Sequence, residues 1–153
     1  MIRDCDFWKE PHIIKIPEAL TAIADSRFQK IGENELCVYS SDLSKKYTVK
    51  CFEDGYFSND NMSYNKGMLG YPIVVELILE EKIHIDMEIA RLFSHINWTQ
   101  TNMLYNKDFS RSMEAVIEKV ADSKYSQAYI REYIEEKYKE LIKLLPGIKR
   151  YTV

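Results

Sequence analysis

The chain has 153 residues, 46% of them hydrophobic and 29% charged, with a formal net charge of −3. That length suits one domain with a sizeable core, and the composition excludes a disordered or low-complexity chain. The charge excludes a global pull toward nucleic acid or anionic membrane, and no apolar run reaches the ~20 residues needed to span a bilayer.

The start, MIRDCDFW, is acidic and aromatic and unlike a signal peptide, so the expectation is an intracellular, cytoplasmic protein. Residues 1–16 read as extended, and Pro17 suits the first turn of a short helix with Leu20, Ile23 and Ala24 on its stripe. Residues 28–31 and 36–40 read as two strands joined by Gly-Glu-Asn-Glu. The clearest strand, YTVKCF, follows a Ser/Asp/Lys-rich turn, and Glu53-Asp54-Gly55 closes another hairpin, with Gly55 free to take positive φ.

From Pro72 the pattern turns helical. PIVVELILEEK is apolar except along Glu76, Glu80 and Glu81, which suits a central helix packed on the strands. Asp86 is a fit N-cap for MEIARLFSHI, Asp108 for a helix with Phe109, Met113, Val116, Ile117 and Val120 inward, and Ser126 for a last helix that Pro146-Gly147 stops. The expected architecture is α+β: a small antiparallel β-meander packed on a central helix, followed by a C-terminal helical hairpin. Residues 1–105 would hold the meander and central helices, and residues 106–153 a helical extension of the same domain.

Three cysteines, Cys5, Cys37 and Cys51, form no C-x-x-C and suit no secreted disulfide framework. A hairpin in which Cys37 faces Cys51 and Tyr39 faces Val49 would place both cysteines on one face with Tyr47. They would be two small buried hydrophobes there, or a cross-strand disulfide.

The run from Val38 to Val49, V-Y-S-S-D…K-K-Y-T-V, followed by a second strand, a loop and an apolar helix, resembles the frame of SWIM-type zinc-finger domains over residues 38–82. The resemblance implies a ββα module of a class that binds nucleic acid or protein partners. The family's C-x-C and C-x-H would fall on Ser58-Asn59-Asp60 and Gly70-Tyr71-Pro72, so all four metal ligands are missing. Zinc leaves the argument with them, and hydrogen bonding by Ser58 or Asp60 across the loop would have to stand in for the metal.

The Ser58–Tyr71 loop is dense in Asn, Gly and Tyr, and it follows a hairpin on a rigid frame, where binding residues collect. Asp60, Asn61, Lys66 and Tyr71 are its candidate polar contacts to a small molecule, and Gly67 and Gly70 are free to take positive φ. Lys45, Lys46 and Lys50 interleave with Tyr56 as cation and aromatic planes do in single-strand nucleic-acid binding. Glu81 and His84 match an E-x-x-H spacing, and His95 shares a helical face with Arg91 and Glu88, but no second motif completes a metal or acid–base set. There is no G-x-S-x-G, P-loop or Rossmann fingerprint, so no catalytic residue, cofactor or metal is assigned and the reading inclines away from an enzyme. Trp98 is expected to plug a helix junction, and Trp8 to be either buried or an exposed partner anchor.

The favoured function is a non-enzymatic protein-interaction module that self-associates through Ile130, Tyr133, Ile134, Tyr138, Leu141 and Leu145 of the last helix. The same stripe could instead cover the chain's own core. Against this stand a small-molecule-binding protein or enzyme using the Ser58–Tyr71 loop, and a nucleic-acid-binding module using the hairpin.

Overall fold

The computed structural model describes residues 3–4 and 7–152. It is an α+β fold. The strands are β1 (Arg3–Asp4), β2 (Phe28–Gly32), β3 (Glu35–Tyr39), β4 (Lys46–Phe52), β5 (Gly55–Ser58) and β6 (Lys149–Thr152). The helices are α1 (Lys15–Ala24), α2 (Tyr71–Leu79), α3 (Met87–Leu92), α4 (Trp98–Leu104), α5 (Phe109–Val120) and α6 (Gln127–Leu144). A π-helical turn spans Met62–Lys66, and a 3-10 turn spans Leu145–Gly147.

The meander is present as β2–β5, each strand antiparallel to the next. The sheet is larger than expected and mixed, in the order β1-β6-β5-β4-β3-β2, because β6 returns to pair parallel with β5 and antiparallel with β1. Gly55 has no positive φ. What it supplies is room, since a Cβ there would overlap the Lys149 carbonyl of β6.

The β3–β4 register also differs from expectation. Leu36 faces Val49, Cys37 faces Thr48 and Val38 faces Tyr47. The Ser40–Lys45 loop sets this register: Ser40 N–H donates to the Lys45 carbonyl, and Leu43 takes positive φ inside it. Side chains alternate across a strand, so Leu36, Val38, Tyr47, Val49 and Cys51 share one face while Cys37 and Tyr39 lie on the other. Cys37 and Cys51 are both free thiols. Cys5 lies outside the described residues.

The first face packs on α1 and α2. Leu36, Val38, Val49 and Tyr56 join Ile16, Ala19, Leu20, Ile23, Ile73, Val74 and Leu77 in one apolar cluster that continues through α3, α5 and α6. Helix α1 begins two residues before Pro17 and is buried from Lys15 to Ile23, so it shares the centre of the core with α2. Asp86, Asp108 and Ser126 each accept the backbone N–H two or three residues on and open α3, α5 and α6; Asn97 does the same for α4. Trp98 is buried, its indole N–H donating to Thr21 Oγ1, which in turn donates to the Phe93 carbonyl. Trp8 is also buried: its N–H reaches the Lys149 carbonyl, and the Arg150 guanidinium lies over its ring. It is therefore a tie between the N-terminal segment and β6, and no exposed anchor.

Candidate functional site: a buried polar cavity

An α-helix that is apolar nearly all round belongs in a core, and α1 (KIPEALTAIA) is such a helix apart from Lys15 and Glu18. Burying it buries those two charges as well. Lys15 is 8% exposed and Glu18 5%, and they meet at 2.9 Å across one helical turn. Arg27, in the turn between α1 and β2, is 8% exposed. Lysine, glutamate and arginine are almost never this buried without partners.

These three side chains line a cavity of about 160 Å³ together with Ser40, Ser41, Tyr47, Tyr71, Trp98, Thr99 and Asn102. Five stretches of chain meet here: the first turn of α1, the turn between α1 and β2, the β3–β4 loop with the start of β4, the first residue of α2, and α4. At about 30 Å³ per water the space holds roughly five waters, or one small polar molecule.

Two polar atoms of the wall, Arg27 Nε and Asn102 Oδ1, are buried without a hydrogen-bond partner among the described residues. Arg27 donates through its terminal nitrogen to the Tyr39 carbonyl, and the Asp25 carboxylate stands 3.9 Å from Nε. Asn102 uses its amide nitrogen on Glu18 Oε2, at 3.3 Å. Burial pushes the Tyr71 phenol well above its ordinary value, and the Arg27 guanidinium only partly opposes this. Burial also raises the Tyr47 phenol, with the Asp60 carboxylate adding to the shift. Both are neutral hydroxyls at neutral pH and can donate. Their rings meet edge to face, 6.2 Å apart. The cavity wall thus combines cationic and hydroxyl donors with a carboxylate and an amide oxygen.

Of the loop residues singled out in the sequence, only Tyr71 reaches this cavity. Asp60 is buried and used by the loop itself: it accepts from Ser58 Oγ and from the backbone of Ser63, and Ser63 Oγ accepts from Gly70 N–H. Asn61 is exposed and accepts from Asn65 Nδ2, and Lys66 is exposed on the π-helical turn. Positive φ occurs at Gly67 and not at Gly70, which is extended. Short polar side chains bonding their own backbone have turned this loop into a rigid strut rather than a pocket.

The hairpin lysines and Tyr56 are separated. Lys46 pairs with Tyr39, and Lys50 with Phe57, on the face away from α1 and α2. Tyr56 pairs with Cys51 on the covered face and is buried, while Lys45 stands in the loop. A stacking platform of Tyr56 beside Lys45, Lys46 and Lys50 is therefore not formed, because Lys46 and Lys50 lie on the side of the sheet opposite Tyr56 and Lys45 stands outside it.

The last-helix stripe is spent internally. Ile130, Ile134, Leu141 and Leu145 are buried in the core; Tyr133 OH accepts from Asp86 N–H, and Tyr138 OH donates to the Pro11 carbonyl. Glu81 takes positive φ after α2 has ended, so it shares no helical face with His84. His95 finds a carboxylate, but it is Asp25, 3.5 Å from Nδ1; Glu88 pairs with Lys124.

Lys15, Glu18, Arg27 and Asn102 were not legible as site residues, since they come from three separate parts of the chain: α1, the turn after it, and α4. One signal was present: a charged pair three residues apart in a helix otherwise too apolar for the surface.

A family profile described as uncharacterised conserved protein UCP014422 matches residues 8–146. No curated protein and no solved structure matches the chain. Among the described residues, no helix is long and apolar enough to cross a membrane.

Proposed function

Because the chain belongs to the family of uncharacterised conserved protein UCP014422, whose description names no activity, we propose from the cavity that it is a binding protein for a small polar molecule. The ligand class is an organic acid or zwitterion of about amino-acid size. The observation that carries this is the buried set Lys15, Glu18 and Arg27 around a space in which Arg27 Nε and Asn102 Oδ1 have no hydrogen-bond partner. A buried polar atom left unpaired costs about 1–3 kcal/mol, so a ligand that pairs both recovers free energy on binding. A carboxylate fits Arg27 and the tyrosine hydroxyls, and a donor group fits Glu18 and Asn102.

Native mass spectrometry of gently purified protein, set beside its denatured mass, tests this reading. A small adduct lost on denaturation and absent from Arg27→Gln is the expected result. A clean apo mass, with no rise in melting temperature across a panel of amino acids, small carboxylates and phosphate, would refute it.

A second reading, the protein-interaction module, keeps one observation in its favour. Met103 and Leu104, 68% and 73% exposed, border a single groove with Asn97, Thr99 and Gln100. The likeness of residues 38–82 to a metal-free SWIM-type module points the same way. Sedimentation of wild type and Leu104→Glu, alone and with cell extract, would distinguish a contact surface here from an idle one.

A further inference from the structure

Helix α2 carries its acids at the wrong end. Glu76 lies in its last turn, Glu80 caps it and Glu81 follows, with no basic residue in that turn. Carboxylates are disfavoured at a helix C-terminus, where the macrodipole is negative. Spaced i and i+4, Glu76 and Glu80 project from the same side of the helix. Beneath them, on β4, is Cys51.

The three side chains converge. Cys51 Sγ donates to Glu76 Oε1 at 3.0 Å, and one ligand atom from each of Cys51, Glu76 and Glu80 lies within 4.8 Å of the others. Glu76 is only 1% exposed, yet its second oxygen, Oε2, is buried with no hydrogen-bond partner among the described residues. All three line a cleft of about 640 Å³, together with Lys30, Glu33, Asn34, Phe52, Glu53 and Lys82. None of these residues lines the cavity around Arg27, so the two sites stand or fall separately.

We propose that Cys51, Glu76 and Glu80 form a binding site for a late first-row divalent cation of the zinc class, with a fourth coordination position open to the cleft. The donor set decides the class. One thiolate with two carboxylates suits borderline ions such as zinc, whereas calcium and magnesium take oxygen alone. Three protein ligands and one open position is the pattern of a zinc site that can take a further ligand. The Cys51–Glu76 pair requires little movement: ligands at zinc–sulfur and zinc–oxygen distances around a tetrahedral ion stand about 3.6 Å apart, so Sγ and Oε1 would separate by roughly 0.6 Å.

Burial pushes the Cys51 thiol far above its ordinary range, with Glu76 adding to it, and burial likewise pushes the Glu76 carboxyl upward. A dication reverses both effects: Cys51 gives up its proton to solvent, sulfur takes the metal, and Glu76 binds ionised. No electron is transferred. Around the rim, Lys82 bridges Glu80 and the Tyr56 hydroxyl, at 3.2 and 3.0 Å, and Tyr56 donates to Glu80 Oε2. Lys82 is half-exposed and can move out into solvent when a metal takes Glu80, leaving Tyr56 to hold the carboxylate in place.

The test is cobalt(II) added to the chelator-stripped full chain, followed by absorbance and by proton release in weak buffer. Expected are a sulfur-to-cobalt charge-transfer band saturating at one ion per chain, at least one proton released per ion, and reversal by zinc. Cys51→Ser should abolish the band, and Glu80→Gln should weaken cobalt binding by about tenfold or more. Absence of the band in wild type, or an equal band in Cys51→Ser from another cysteine, overturns the site. Should Cys51→Ser fail to fold, Glu80→Gln decides, since it changes a residue at the rim: an unchanged affinity overturns the proposal.

Discussion

Gly70 is extended, with φ −81° and ψ 165°, a backbone any residue adopts. Its constraint is the Asp60 carboxylate, which a Cβ at position 70 would overlap. Gly70→Ala should therefore destabilise by about 1–3 kcal/mol through overpacking, and Asp60→Ala should relieve part of that cost. Urea denaturation of the two single variants and the double variant checks this; strictly additive effects would rule out the clash. The sequence allowed Gly55, Gly67 and Gly70 the same conformational freedom; the structure uses it at Gly67, and uses close approach at Gly55 and Gly70. A glycine is visible in any sequence. Which of its two uses applies depends on a neighbour ten residues away for Gly70, and on β6 for Gly55. The cysteines carry the same lesson, because Cys37 and Cys51 were on legible strands but an unforeseen register placed them on opposite faces.

At the scale of elements, local chemistry was readable and contacts between elements were not. Asp86, Asp108 and Ser126 announce helix starts because a cap acts on its own next turn. The start of α1 is different. Its first turn is met by His12, whose Nδ1 accepts from Ile14 N–H at 3.0 Å while Nε2 faces Ser110 Oγ. That role needs an unprotonated Nδ1, and burial, helped by the Lys15 charge, depresses the His12 pKa below 6.5. The folded state then binds fewer protons than the unfolded one. Stability from this group is present above pH 6.5 and lost as pH falls through the lower folded value. His12→Asn keeps an acceptor that does not titrate. Comparing urea midpoints between pH ~7.5 and ~5 should show a drop for wild type that the variant lacks in part. Parallel curves would remove His12 from the account of α1.

For the molecule as a whole, the unread element was β6. Four residues after a Pro-Gly stop carry little strand signal of their own, and they become a strand because β5 and β1 offer open edges on both sides. Arg150 then reaches over the Trp8 ring and donates to the carbonyls of Ser63 and Tyr64. One short strand thus ties the N-terminal segment, the hairpin and the π-helical turn together. Ending the chain at Gly147 should lower stability and shift Trp8 fluorescence to the red as its indole loses the Lys149 carbonyl. Trp98, held by Thr21, should stay buried, so the shift should affect part of the emission. An emission spectrum identical to that of the intact protein would show that Trp8 is secured without β6. The Arg27 cavity was illegible for a related reason, since its wall exists only after α1 and the turn behind it, the β3–β4 loop with β4, α2 and α4 have met.

The parallel register of Gly55 with Lys149 also sets an order of events in time. The β2–β5 hairpins close over short loops and can form early, while β6 must cross most of the chain's length to find its place. Until it arrives, β5 presents a bare, largely apolar edge. Refolding should therefore be most vulnerable to aggregation in the interval before that last strand docks, and a short peptide of the β6 sequence supplied in excess should shorten that interval.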